Sequence, residues 1–429
     1  MRRSQAILLV AAAAALPRLV VLAWERQRIL EAFVEKSDRF AQTLVSSGTF
    51  GLLPGVPSAY TQPLYAWFLA ALYWPLDRTW FVVGVAQIVL AVGTALLVLE
   101  IGRRLDTLLT GVIAALIATL HPYLVWHDVH VNREILDGFL LALLTLLALI
   151  TRERRSLWWC AALGATTGVA ILGNSRLVLL PVVLAIYAAW PLRADRRTIA
   201  AALVVVVAAG AAVAPWAARN KVQVGCFAIT TDARALWKAN NANTYAVLAA
   251  GQWIDDVPEL PGIPPWPTKA ADIELSTGKR VRVDECAQAS FYEHKVIDFW
   301  RQHPGEKARL SAQATWMLWQ PTFTVATDDI GREGLADTLR HSAEPVFMVT
   351  LYALALVGLF LAPQRFVALV ISLEAYNTLM AMLFAGTVRY RIPWDFLLAL
   401  LAAFPLARAW ERARRRPPYV ETEPASADS

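Results

Sequence analysis

The sequence predicts an α-helical polytopic membrane protein, with about ten transmembrane helices and a small extracytoplasmic domain of α/β or irregular structure. Three observations predict it. Of the 429 residues, 57% are hydrophobic, and mean hydropathy is +0.45; a soluble domain is about 45–50% apolar. The excess is gathered into runs of roughly 17–25 apolar residues, the length that crosses about 30 Å of hydrocarbon. Arginine clusters recur on alternate connections between these runs, as the positive-inside rule requires of cytoplasmic loops.

The predicted spans are 6–24, 79–101, 107–125, 135–151, 157–173, 177–192, 199–215, 346–362, 366–385 and 392–409. The first follows Arg2 and Arg3 and could be a leader. Its length and the many spans after it favour a membrane helix. The sixth is the shortest. Residues 63–76 are apolar but too short to cross, with Pro63 and Pro75 near the ends. Their Trp and Tyr content suits the headgroup level, so an interfacial or re-entrant helix is expected. The stretch 311–325, with Trp316, Trp319 and Pro321, is similar.

Alternate connections carry Arg2/Arg3, Arg103/Arg104, Arg152/Arg154/Arg155, Arg193/Arg196/Arg197, Arg365 and Arg412/Arg414/Arg415/Arg416. With ten spans, all fall on one side. That side is read as the cytoplasm, holding both termini of a multi-pass protein of the plasma or inner membrane. The net charge of +6 is therefore topological, and no nucleic-acid partner is expected. Residues 1–216 form an N-terminal transmembrane module that includes the first extracytoplasmic loop, 25–78. Residues 217–345 form the loop domain, 346–411 the C-terminal transmembrane helices, and 412–429 a disordered cytoplasmic tail.

The chain has three cysteines. Cys160 lies in an apolar run and reads as a small buried residue. Cys226 and Cys286 share the long polar loop, where an oxidising compartment leaves either a bridge or two unpaired thiols.

The cytoplasmic connections are short and carry no P-loop or Rossmann glycine pattern, which argues against a nucleotide-driven site there. Chemistry is expected on the opposite face, with a substrate that the membrane delivers. In the first loop, Glu35 and Asp38 follow the first span, where a carboxylate can act as general base and burial would raise its basicity. A solvated loop helix is the bland alternative. His127, Asp128 and His130 could ligate a divalent metal, but their spacing matches no established motif. No cofactor is predicted. Glu134 and Asp137 open the fourth span, where the helix dipole is a sufficient reason for acids.

Arg176, Arg219, Arg389 and Arg391 lie on the outer side, against the positive-inside bias. Their guanidinium forks suit phosphate oxygens, and snorkelling to membrane lipids is the alternative. Glu374 and Asn377 lie inside the ninth span, where pairing within the bundle is expected. They are the main hint of a transporter.

At these residues the chain resembles the GT-C class of membrane glycosyltransferases, specifically family 39-like proteins. Their relatives include protein O-mannosyltransferases and the aminoarabinose transferases of lipid A. The motifs are an acid before Ala41-Gln42-Thr43-Leu44 and Gly48-Thr49-Phe50-Gly51, then Pro57-Ser58-Ala59-Tyr60-Thr61-Gln62-Pro63-Leu64-Tyr65. His121-Pro122 with Glu134, Trp216-Ala217-Ala218-Arg219-Asn220 with Gly225-Cys226-Phe227, Leu236-Trp237 with Asn240-Asn241, and Arg389-Tyr390-Arg391-Ile392-Pro393 follow in order. The family's loop acid often lies earlier than Asp38 relative to the A-x-x-L stretch, which keeps Glu35 as its rival. The usual Asp-Glu pair is absent, which leaves a metal-assisted variant without support.

The resemblance implies transfer of one sugar from a polyprenyl-phosphate donor to an extracytoplasmic protein, lipid or glycan acceptor; the alternatives are a transporter or flippase for a lipid-linked sugar, or a non-catalytic accessory subunit of envelope glycan assembly. Asp38 or Glu35 would be the base, and Arg389, Arg391, Arg219 and Arg176 would hold the donor phosphate. Tyr60, Gln62, His121, Glu134 and Asn241 would support the substrate site.

Overall fold

The structure, a computed structural model, describes residues 1–32, 34–190, 195–322 and 335–415. Of the predicted features, Arg193, residues 323–325 and most of the 412–429 tail lie outside them. Each predicted span overlaps a helix, although 107–125 is interrupted at Leu120–His121 and residues 191–192 lie outside the described residues. The overlapping helices are α1 (Arg3–Glu25), α4 (Trp80–Leu105), α5 (Leu108–Thr119), α7 (Glu134–Arg154), α8 (Leu157–Gly173), α9 (Leu180–Ala189), α10 (Arg196–Gln223), α16 (Leu335–Leu361), α17 (Gln364–Leu383) and α19 (Asp395–Arg415). Among the described residues, seven helices are long and apolar enough to cross a membrane; α5, α8 and α9 are shorter. Threonine and aspartate fix several starts. The Thr79 and Thr107 hydroxyls accept the Val82 and Thr110 N–H groups, and the Asp195 carboxylate accepts from Thr198.

Small residues let the helices touch. Gly164 and Gly168, one turn apart on α8, face α10. A Cβ at these positions would lie 2.2 Å from the Val205 carbonyl oxygen and 2.5 Å from that of Ala209. Gly102 of α4 abuts Gly111 of α5, and Gly358 of α16 abuts the Leu401 carbonyl of α19. Lipid tails are as apolar as leucine, so close backbone approach has to supply the packing that solvent exclusion supplies in water. The last helix, α19, runs through the core with Phe396, Leu397, Leu400, Leu401 and Phe404 buried. The outer surface is apolar instead, with Leu203 and Val207 of α10 and Phe360 of α16 exposed.

One end of the bundle gathers the arginine-rich connections. Arg3 reaches Glu100 at 3.5 Å, Arg104 and Arg365 reach Glu153 at 3.5 and 3.7 Å, and the Tyr187 hydroxyl donates to the Arg365 carbonyl at 3.1 Å. Four of the counted connections, those carrying Arg3, Arg104, Glu153 and Arg365, therefore meet at this end.

The opposite end carries the polar elaboration. It holds α2 (Ser37–Ser47), α3 (Pro63–Leu76), α6 (Pro122–His127) and, after α10, α11 (Ala233–Lys238), α12 (Thr244–Ala249), α13 (Pro267–Thr277), α14 (Glu285–Gln302) and α15 (Pro304–Trp319), with α18 (Val388–Arg391) before α19. In α3, Tyr65, Leu69 and Tyr73 are buried while Trp74 is exposed. The α/β alternative for the loop domain is corrected. Among the described residues the one β pairing is an isolated bridge, Leu53 to Val56, in the first loop. Helix signals dominate the later stretch: Asp284 accepts from Ala287 to start α14, and Pro304 opens α15. Cys226, just past α10, is disulfide-bonded to Cys286 at the start of α14, with Cα atoms 5.8 Å apart.

Candidate active site

A cavity of about 690 Å³ opens at the polar end, between the first loop, the turn before α9, α11 and the segment before α18. Its floor and walls are charged. Glu35 enters from the loop before α2, its N–H donating to the Val131 carbonyl at 3.0 Å. The carboxylate is 14% exposed and lies 4.0 Å from Arg133 Nε. Burial pushes its pKa above the ordinary glutamate range, with the Arg133 guanidinium pulling the other way. Its Oε2 is buried with no hydrogen-bond partner. Arg133 Nη1 donates to Gln62 Oε1 at 3.1 Å, and Gln62 Nε2 donates to Ser175 Oγ at 2.9 Å. Gln62 thus ties the first loop to the turn that carries Arg176.

Two of the expected arginines share this cavity. Arg389 Nε donates to Glu134 Oε1 at 2.6 Å. Arg176 is 9% exposed. Its Nη2 donates to the Ala385 carbonyl at 2.8 Å, and the guanidinium sits 4.0 Å from the centre of the Tyr390 ring. Asn174 fixes the turn: its Oδ1 accepts the Arg176 N–H and its Nδ2 donates to Asp137. No carboxylate of the described residues lies within ion-pair distance of Arg176, whereas the other cations of the lining do have such partners. Lys36 pairs with Asp232 at 2.5 Å, Arg234 and Lys238 with Glu259, Arg389 with Glu134, and Arg133 with Glu35. A buried guanidinium facing a cavity without a counter-charge is costly unless an anion can reach it.

Tyr60 also lines the cavity, with Lys36 Nζ 4.6 Å over its ring. Burial raises its hydroxyl pKa well above the ordinary value, and the nearby Asp232 carboxylate adds to the rise.

The structure brings Glu35, Tyr60, Gln62, Arg176 and Arg389 together, with Glu134 beneath them holding Arg389. It leaves the other expected residues outside the cavity lining. Asp38 is 4% exposed and fully engaged. It accepts from the Tyr73 hydroxyl at 2.5 Å, Arg78 Nε and Nη2 at 2.9–3.1 Å, and Gln42 at 2.8 Å. It braces α2 against α3 and lacks a free acceptor face.

Arg391 is wholly buried, donating to Asp395 at 3.0 Å and to the Leu318 and Gln320 carbonyls at 3.0 and 2.6 Å. It ties α15 to the start of α19. Arg219 donates to the Ser58 and Phe50 carbonyls, both at 2.9 Å, and staples the first loop to α10. His121 faces Asp395 at 3.4 Å inside the bundle. Asn241 donates to the Trp237 and Lys238 carbonyls at the end of α11. Glu374 and Asn377 are buried in α17 away from the cavity lining.

Sequence reasoning missed Lys36, Arg133, Arg234, Lys238 and the acids Asp232 and Glu259. The one signal available was the spacing of Arg234 and Lys238, one helical turn apart in the Leu236-Trp237 motif. The His127–His130 cluster is spent on structure. Asp128 is held by Arg18 at 2.7 Å, and the His130 ring stacks 3.8 Å from that of Trp126. Among the described residues no three His, Cys, Asp or Glu side chains are placed to hold a metal ion.

Residues 57–218 match the family described as dolichyl-phosphate-mannose-protein mannosyltransferase. The matched stretch contains Tyr60, Gln62, Arg133, Glu134 and Arg176. Among solved structures, the chain is similar to an oligosaccharyltransferase from Archaeoglobus fulgidus, with 12% identity, a TM-score of 0.48, and coverage of 95% of this chain and 52% of that one. It is also similar to ArnT from Cupriavidus metallidurans bound to undecaprenyl phosphate, with 15% identity, a TM-score of 0.46, and coverage of 97% and 82%. The chain spans about half the length of the oligosaccharyltransferase. No curated protein matches it by sequence.

Proposed function

We propose that this chain is an integral membrane glycosyltransferase that moves a single sugar from a polyprenyl-phosphate donor to an extracytoplasmic acceptor. The observation that carries the reading is Arg176, a buried guanidinium at the cavity wall with no carboxylate partner, next to Arg389 and across from a basic, partly unsatisfied Glu35. The mannosyltransferase match over 57–218 supports it, because that family's description names a lipid-phosphate sugar donor. The cavity lies at the end opposite the arginine-rich connections, which the positive-inside rule assigns to the outside.

In this mechanism Glu35 accepts the proton of the acceptor hydroxyl as its oxygen bonds to the anomeric carbon. The bond from that carbon to the phosphate oxygen breaks in the same step, and the configuration inverts. Polyprenyl phosphate leaves with the electron pair. A phosphate is a weak base, so it needs charge stabilisation more than a proton, and Arg176 and Arg389 supply it. Glu35 takes this role rather than Asp38 because its Oε2 is unpaired, whereas Asp38 is occupied by Arg78 and Tyr73.

The test is binding of polyprenyl phosphate to purified protein in nanodiscs. Arg176→Gln should weaken binding about 10–100-fold, as expected on losing a charged, desolvated contact. Equal affinity for the variant would remove the observation on which the proposal stands.

A further inference from the structure

The cavity has a second cationic pair, on the side of α11 and away from Arg176. Arg234 and Lys238 lie one turn apart on one face of that helix. They are 7% and 2% exposed, and both converge on the same oxygen, Oε1 of Glu259. The fold holds the two cations independently of Glu259. Lys238 Nζ also donates to the Asp255 carbonyl at 2.6 Å, and the Arg234 guanidinium stacks 3.6 Å from the Trp266 ring centre. The Asp255 carboxylate stands 3.9 Å from Arg234 and is 71% exposed, so it offers little compensation.

Glu259 itself sits on a strap, residues 251–266, that forms part of the cavity wall. The strap contains Gly251 and Gly262 at φ of +76° and +77° and is rich in proline. Ile254 and Val257 anchor it by burial, while Glu259 remains 31% exposed. Trp253, Trp266 and Tyr60 also line the cavity, Trp266 stacked on Arg234 and Trp253 packed 6.1 Å from the Tyr390 ring.

We infer that Arg234 and Lys238 form a subsite for an anionic group on a sugar of the acceptor, and that Glu259 occupies this subsite until the acceptor displaces it. This rests on the glycosyltransferase reading for the word acceptor, but its geometry does not involve Arg176 or Glu35. Two buried cations fixed by the fold and one strap-borne carboxylate make an exchangeable anion site. Aromatic rings in the lining suit a pyranose ring. The acceptor class is then an acidic glycan, bearing a carboxylate or a phosphate, rather than a neutral one.

The experiment measures thermal unfolding shifts of the full chain in nanodiscs with three probes: methyl glucuronide, glucose 6-phosphate and the neutral methyl glucoside. The acidic probes should stabilise the protein and the neutral one should not; the larger shift identifies carboxylate or phosphate as the preferred anion. Glu259→Gln removes the resident competitor and should tighten the acidic probe about tenfold. Lys238→Met should abolish its shift. Equal shifts from neutral and acidic probes overturn the inference, as does an acidic shift that survives Lys238→Met. Should Lys238→Met not fold, the Glu259→Gln arm decides alone, and unchanged affinity there overturns it too. Polyprenyl phosphate binding is measured in parallel. Its loss in the parent protein strikes the glycosyltransferase reading, whereas a lost preference for acidic probes with lipid binding intact strikes only the acceptor subsite.

Discussion

Replacing Glu35 and Asp38 separately distinguishes a base from a brace. Glu35→Gln keeps the volume of the side chain and removes its ability to take a proton. Loss of a general base costs about 10²–10⁴-fold in rate, which is about 2.7–5.5 kcal/mol of transition-state stabilisation. Stability should not suffer. Burial makes the ionised Glu35 unfavourable in the folded protein, and Arg133, which loses this partner, keeps the Asp137 and Glu134 carboxylates nearby, so a neutral amide leaves the melting temperature close to the parent's at neutral pH.

Asp38→Asn should behave oppositely. It strips the counter-charge from Arg78, which is 28% exposed, and disturbs the Tyr73 and Gln42 hydrogen bonds. Breaking a largely buried ion pair costs about 3–5 kcal/mol, and partial solvation of Arg78 places this one at the lower end. The assay pairs initial rates of polyprenyl phosphate release with thermal unfolding of the same nanodisc samples. A Glu35→Gln variant within tenfold of the parent rate would rule out Glu35 as the base. So would a folded, equally stable Asp38→Asn variant that has lost transfer more than a hundredfold.

Further outcomes follow from the same contacts. The pH profile of kcat/KM should rise with unit slope through a pKa above the ordinary glutamate value, because burial outweighs the pull of Arg133. That limb should vanish in Glu35→Gln, and a limb that persists points to another base. Arg176→Met should lose donor affinity while the unliganded protein loses little stability, since removing a buried charge with no ion-pair partner offsets the lost Ala385 hydrogen bond and Tyr390 stack. Arg391→Met should instead lower stability by about 3–5 kcal/mol, because it strands Asp395 in the bundle; thermal unfolding of both variants separates the two roles. Gly164→Val should destabilise the protein by about 1–3 kcal/mol, as its side chain would meet the Val205 carbonyl and force α8 from α10; melting temperature and detergent resistance report it.

The bundle was legible because its determinants are local. Apolar runs of the right length mark helices, and arginines mark alternate ends. The contacts from Arg3 to Glu100 and from Arg365 to Glu153 are the spatial counterpart of that count. The short α5 and α8 are seated by glycine contacts, Gly111 against α4 and Gly164 and Gly168 against α10, which run length alone does not record, and the short 177–192 stretch was the least legible span.

The site was legible only in part. Arg176 and Arg389 stood out because arginines on the outer side break a compositional rule. Arg219 and Arg391 broke the same rule for another reason: each satisfies backbone carbonyls where irregular chain meets the bundle. No local pattern distinguishes these uses. Asp38 lies within a plausible motif, yet Tyr73 and Arg78, more than thirty residues away in sequence, decide its role. Arg234, Lys238 and Glu259 were overlooked because charges in a polar loop are unremarkable until the strap folds over α11.

The cavity is proposed to transfer sugar from a lipid phosphate with Glu35 as base. The direct measurement is incubation of the purified chain in nanodiscs with labelled polyprenyl-phosphoryl sugars and candidate acceptors, following polyprenyl phosphate released and label transferred. Release and transfer should be stoichiometric, require Glu35 and Arg176, and proceed with inversion at the anomeric carbon. Movement of the intact lipid-linked sugar across the bilayer, with no polyprenyl phosphate released and no dependence on Glu35, would contradict it.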